Sequence, residues 1–294
     1  MTAYRSIFRE SLFENTVVVI TGGGSGIGRC TAHELASLGA TVVLTGRKAE
    51  KLDATRAELL EDGIPGDRVD TCTFDIRDEA SVEAAIADIL KTHGKVDHLF
   101  NNAGGQFAAP AVMISAKGFD SVVRTNLLGG FLVAKALMLQ HWTRNPGGSV
   151  VNMLADMWRG MPGMAHSGAA RMGMLNLTQT LAVEWAPQGV RVNAIAPGWV
   201  ASSGMDTYPE EVQMMIPHLR ASVPLKRLAS EAEISAAIVY LMSPAAAFVT
   251  GACIKVDGAA PLAPMHYPMP DHNNSTAFDG FHRAVLPKAL QDAD

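Results

Sequence analysis

Thr21-Gly22-Gly23-Gly24-Ser25-Gly26-Ile27-Gly28 joins an apolar, β-branched run to a stretch whose apolar residues recur at helical spacing. Glycines in the pattern T-G-x-x-x-G-x-G permit a turn with φ > 0. They also leave no Cβ where backbone must approach a pyrophosphate. A helix starting near Ile27 would aim its N–H groups and positive dipole end at that anion. The reading is a dinucleotide site built from Thr21, Gly22, Ser25, Gly26, Ile27 and Gly28. A second constellation lies at His166-Ser167-Gly168-Ala169-Ala170-Arg171, with Asp156 upstream. Ser167 and Arg171 stand at i,i+4 and share a helix face. A serine hydroxyl is a poor acid and an arginine keeps its proton, so this pair suits charge stabilisation better than proton relay.

The second strand's end selects the dinucleotide. An acid there would accept from a ribose 2′-hydroxyl; this chain has Arg47-Lys48, and Arg47 can fork onto a 2′-phosphate. NADP(H) is therefore favoured over NAD(H), the alternative being two solvated residues opening the next helix. Asp75 ends the third strand and can accept from the adenine amino group beside Ile76, or can cap the helix after it.

These groups need a scaffold that holds them at one edge. The apolar, β-branched run at 17–20 reads as a buried strand, and 42–44, 69–74, 96–101, 149–153, 190–195 and 253–256 read as further strands. Helical patterns lie between them at 27–38, 48–60, 79–90, 115–142, 163–185 and 231–241. Strands alternating with helices predict a single α/β domain, a doubly wound parallel sheet of Rossmann type over residues 1–258. Residues 259–294, with Pro261, Pro264, Pro268 and Pro270, are expected to form an extended arm on the body or on a neighbouring subunit.

Composition narrows the function classes. A chain of 294 residues that is 48% hydrophobic can bury one large core. A net charge of −5 gives no electrostatic reason to expect nucleic acid. No unbroken apolar run has the ~18–20 residues of a membrane span, and the N-terminus lacks a secretory core. Cys30, Cys72 and Cys253 form no metal-ligand pattern, so no metal is expected. Three scattered cysteines fit a reducing cytoplasm.

With Asn101-Asn102-Ala103-Gly104, Asn126 and Pro197-Gly198 added in order, residues 13–258 resemble the short-chain dehydrogenase/reductase family. The resemblance implies that Asn102, Ala103 and Gly104 flank the adenosine ribose, and that Asn126 interrupts its helix and holds a water in a proton relay. It places Pro197, Gly198 and the Val200 backbone along the nicotinamide, with Ser202 or Ser203 near phosphate. It also implies a homodimer or homotetramer. The family's Ser-Tyr-Lys set is not kept. No serine stands in Asn152-Met153-Leu154-Ala155-Asp156-Met157, Ser167 takes the tyrosine position and Arg171 the lysine position.

Within the family, His166 to Arg171 and Gly105-Gln106-Phe107 resemble peroxisomal-type trans-2-enoyl-CoA reductases and, less closely, 2,4-dienoyl-CoA reductases. Residues 152–163 and 198–206 also resemble bacterial enzymes of citronellol/citronellal breakdown. Double-bond reduction in an acyl thioester needs hydride at one carbon and positive charge near the carbonyl oxygen, which Arg171 can offer. Alcohol oxidation would instead need Asp156 or His166 as base. A nucleotide-binding protein without catalysis is a third reading. Methionines between 153 and 215, with Trp158 and Trp199, suit either an adaptable pocket wall or a core. Residues 199–219 suit either a closing lid or a fixed subdomain.

Overall fold

The computed structural model describes residues 3–263 and 266–291. Seven strands form one parallel sheet: β1 (Val17–Thr21), β2 (Thr41–Gly46), β3 (Val69–Thr73), β4 (His98–Asn101), β5 (Gly148–Met153), β6 (Val190–Pro197) and β7 (Cys253–Val256). Their order is β3-β2-β1-β4-β5-β6-β7, and every adjacent pair runs parallel. All five residues of β1 are buried, as expected of a central strand covered on both faces. The order reverses between β1 and β4. That opens a crevice at the carboxyl ends of the strands, where ligands bind in open α/β sheets.

One face is covered by α1 (Gly26–Ser37), α2 (Ala49–Glu61) and α8 (Glu231–Met242), the other by α3 (Glu79–His93), α5 (Gly129–Leu137) and α6 (Ala165–Glu184). A short helix α4 (Ala116–Val123) leads into α5, and α7 (Glu210–Gln213) lies beyond β6. Start signals are local: Asp78 accepts from Ser81 N at α3, and Ser230 with Glu233 closes a capping box at α8. The predicted helix over 115–142 is a continuous rod, with π-turns at Arg124–Leu128 and Met138–Trp142 interrupting its α-geometry. Sequence periodicity does not show π-turns, because one extra residue per turn hardly disturbs an apolar stripe. This rod is long and apolar enough to cross a membrane by length and composition. However, 56% of its apolar window is buried inside the fold, so it is a core helix.

The residues after β7 return to the body. Phe281, 2% exposed, enters a pocket with Tyr4, Cys30 and Ala232. Arg283 donates to Asp62 at 2.7 Å, and His33 and His282 reach the same carboxylate at 2.9 and 3.0 Å. The arm's final helix, α9 (Lys288–Gln291), places the Lys288 N–H 2.9 Å from Asp206 Oδ1. The arm therefore lies on its own body, anchored at the ends of α2 and at the segment after β6. His33, Asp62 and His282 bring three possible metal-ligand atoms within 4.8 Å of one another. Residues this far apart in the chain form no spacing pattern. The guanidinium of Arg283 already neutralises the carboxylate.

Candidate active site

The first βα turn is built as its glycines demand. A Cβ on Gly28 would stand 2.4 Å from the Gly22 carbonyl oxygen and 2.5 Å from Asn102 Nδ2, so only hydrogen fits. Asn102 Nδ2 donates to the carbonyls of Thr21 and Gly22 at 3.0 and 3.2 Å. Thr21 Oγ1 accepts from the N–H groups of Asn102 and Ala103. Asn102 and Ala103 thus tie β4 to the turn after β1. Ser25 stands at the N-cap of α1 without a side-chain capping bond among the described residues. The first-turn N–H groups are left for an anion, and Ile27 faces the adjoining cavity. These features fit a dinucleotide pyrophosphate.

At the adenosine end, Arg47 and Lys48 are exposed after β2 and free to meet a phosphate. Asp75 is more engaged than expected. Arg77 holds both its carboxylate oxygens and, through that hydrogen-bonded ion pair, keeps its pKa below the usual range. Neither adenine contact nor helix capping foretells this pair. Ile76 is buried, against Gly129 of α5.

The crevice continues into a cavity of about 650 Å³. β5 contributes Met153, and the loop after it Leu154 and Asp156. β6 and its following loop contribute Pro197, Gly198, Trp199, Val200 and Ser202. Arg171 reaches the wall from α6, and its Nη1 donates to the Met153 carbonyl at 2.5 Å. Burial pulls its pKa down to about 10, which leaves it cationic at neutral pH. Its Nε has no partner among the described residues. A Cβ on Gly104 would fall 2.7 Å from Arg171 Nη2 and 3.0 Å from Asn126 Oδ1, so the three residues meet at one point.

Asn126 lies in the first π-turn. Its Oδ1 accepts from Gly105 N and its Nδ2 donates to Gly105 O, both at 2.9 Å. The amide clamps the loop after β4. Ser167 is fully buried. Its Oγ donates to Gln106 Oε1 at 2.7 Å, and Gln106 Nε2 donates to the Tyr208 hydroxyl at 2.7 Å. His166 is also fully buried, with Nδ1 accepting from Ser167 N and its ring edge-on to Phe107. It does not line the cavity. Asp156 does, and burial raises its pKa; nearby Asp257 adds to the rise, while the Trp158 N–H, Arg159 and Lys255 oppose it.

The methionines divide by position. Met153, Met161, Met164 and Met205 line the cavity, Met157 and Met174 are core, and Met172, Met214 and Met215 face solvent. Trp199 is a wall residue, whereas Trp158 packs beneath Lys255 Nζ at 3.9 Å. Gln106 and Tyr208 are the site residues that sequence reasoning undervalued. They are 102 positions apart and no motif joins them.

Residues 22–259 match a family model described as Enoyl-(Acyl carrier protein) reductase. The chain belongs to the short-chain dehydrogenase/reductase family. It is an oxidoreductase of that family, with a site for a nicotinamide cofactor and a small-molecule substrate. One relative is a probable 2,4-dienoyl-CoA reductase of Bacillus subtilis, 37% identical over 254 residues that cover 85% of this chain and 98% of the relative. Another is a peroxisomal 2,4-dienoyl-CoA reductase of Danio rerio, 36% identical, covering 88% and 86%. Among solved structures, the citronellol catabolism dehydrogenase AtuB of Pseudomonas aeruginosa PAO1 is 56% identical. It superposes with a TM-score of 0.78 over 87% of this chain and 99% of that one.

Proposed function

We propose that the chain is an NADPH-dependent reductase of α,β-unsaturated acyl thioesters, of the trans-2-enoyl-CoA or 2,4-dienoyl-CoA type. The observation that carries this reading is Arg171, a buried cation at the cavity wall where a proton-relaying lysine would stand in family members that interconvert alcohols and carbonyls. Bound NADPH supplies hydride. The chain's residues then have to hold the thioester, exclude water and stabilise negative charge on its carbonyl oxygen. A fixed cation in a buried wall does the last of these at little reorganisation cost. Met153, Met161, Met164 and Met205 adapt to an acyl chain. Thr21, Gly22, Ser25, Gly26, Ile27 and Gly28 take the pyrophosphate, and Asn102 and Ala103 the adenosine ribose. Asp75 and Ile76 lie at the adenine, and Arg47 with Lys48 at the 2′-phosphate. Gly104, Pro197, Gly198, Val200 and Ser202 border the nicotinamide half.

The 56% identity to a citronellol catabolism dehydrogenase supports a second reading, oxidation of a branched terpenoid alcohol. Asp156, which borders the cavity and whose pKa burial raises, would then be the base. One assay separates the two. The purified protein is mixed with crotonyl-CoA, a 2,4-dienoyl-CoA or citronellal, each with NADPH and with NADH, and the loss of reduced cofactor is followed by absorbance. Consumption of NADPH with a thioester supports the first reading; consumption with citronellal alone replaces it with the second. The family's habit of pairing long central helices supports a homodimer or homotetramer, and three unpaired thiols suit a cytoplasmic protein.

A further inference from the structure

We infer that Tyr208 is the hydrogen-bond donor to the substrate's reacting carbonyl oxygen, held in place by Gln106 and, behind it, Ser167. This deepens the thioester-reductase reading and rests on it.

The argument is one of hydrogen counting. Ser167 Oγ is fully buried, and Gln106 Oε1 is its one acceptor within reach among the described residues. Turning the amide over would leave the buried serine proton without an acceptor, which is costly. The amide is therefore fixed with its NH₂ towards Tyr208. An NH₂ group only donates, so the Tyr208 oxygen accepts at 2.7 Å and the phenol keeps its own hydrogen for another acceptor. Tyr208 and Gln106 both line the 650 Å³ cavity that Arg171 and Asp156 also border. No other phenol borders it among the described residues, and the segment carrying Tyr208 follows the cofactor-side loop after β6. The family position usually held by tyrosine carries Ser167, which cannot touch substrate. Its hydroxyl instead orients the amide that orients a tyrosine of the segment after β6.

In the reaction, hydride addition at the far carbon of the conjugated system forms a C–H bond and breaks the C=C π bond. The electron pair moves onto the thioester oxygen, where Tyr208 O–H and the Arg171 charge meet it. A proton from water then completes the saturated carbon. Tyr208 gives a hydrogen bond and keeps its proton, so no further acid is required.

The test compares Tyr208→Phe, Gln106→Ala, Ser167→Ala and the double variant Gln106→Ala/Ser167→Ala. Removing an oxyanion donor lowers kcat by roughly 10²–10³-fold, and Tyr208→Phe is expected to do so with the melting temperature and NADPH affinity unchanged. Gln106→Ala should lower kcat by roughly tenfold, about one hydrogen bond's worth, leaving the thioester KM nearly constant. Ser167→Ala should have a smaller effect that disappears in the Gln106→Ala background. Acetoacetyl-CoA gives a readout without turnover: the wild type should bind it as the near-ultraviolet-absorbing enolate, and Tyr208→Phe should not. Wild-type kcat in Tyr208→Phe, or equal enolate absorbance, overturns the donor assignment while the thioester reading stands. A wild type that reduces no thioester overturns that reading instead. The same variants are then run on citronellal, where an undiminished rate in Tyr208→Phe also overturns the donor role.

Discussion

Arg171 has a buried charge, and its guanidinium is held by the Met153 carbonyl. Arg171→Lys is not a mild change here: an ammonium cannot bond Met153 O and also present a second N–H plane to the cavity. We expect Arg171→Lys to lower kcat by at least tenfold and to weaken cofactor binding measurably, as read by titrating the reduced cofactor's fluorescence. At the other end of the crevice, Arg47→Ala/Lys48→Ala should raise the KM for NADPH by roughly tenfold, the worth of one charge-assisted contact. The KM for NADH should hardly change, and equal effects on both cofactors would show that these residues do not read the 2′-phosphate. Much at this scale was legible in sequence. Gly28 and Asn102 both serve the turn after β1, one by leaving room beside the Gly22 carbonyl and the other by bonding it, and each belongs to a short motif whose residue types admit few alternatives. Tyr208 was not legible, since its partner lies on a distant loop and a lone tyrosine in a polar stretch has no pattern.

Among the elements, α1 and α8 pack where charge is least tolerated. Glu231, in the first turn of α8, is 4% exposed, and burial raises its pKa to about 7, with Arg29 opposing. A carboxyl with a raised folded pKa contributes stability that is complete below its unfolded value of 4.5. That stability is lost as pH rises to about 7 and is flat beyond. The loss is up to roughly 3 kcal/mol. Glu231→Gln should therefore match the wild type near pH 4 and exceed it at pH 8, as read by urea midpoints at both values. A gap that ignores pH would show that Glu231 ionises freely in the fold. The central strand β1 was readable because a fully buried parallel strand is a short, uninterrupted apolar run. The family resemblance implied the helix interruption at Asn126, but nothing in the sequence showed the second π-turn, or that the first turns Asn126 onto Gly105. Both depend on which carbonyl each N–H chooses, not on which residues are apolar.

Over the whole molecule, the C-terminal arm closes a circuit that no local pattern foretells. Its proline content predicted an extended path, but its anchors, Phe281 beside Tyr4 and Arg283 on Asp62, join residues more than 200 positions apart. Phe281→Ala removes the apolar anchor, a change that costs about 3–5 kcal/mol in a packed site. Because the arm can detach without opening the sheet, the expected outcome is local. Trypsin should cut after Arg283 at least tenfold faster, a factor equivalent to about 1.4 kcal/mol of local stability, while the main thermal transition moves little. A large fall in melting temperature with unchanged cleavage would mean that the arm and the body unfold as one unit.

The arm has a mechanical consequence as well. Between the guanidinium anchor at Arg283 and the Lys288 N–H on Asp206 the backbone advances five residues, which at full stretch reach roughly 17 Å. Any outward swing of the segment that carries Met205 and Tyr208 must stay inside that radius or break the Asp206 bond. The arm is thus a leash of fixed length between the cofactor-side helices and the substrate side of the crevice. Lengthening the leash by a few glycines after Leu286 would enlarge that radius without altering a single residue that lines the cavity.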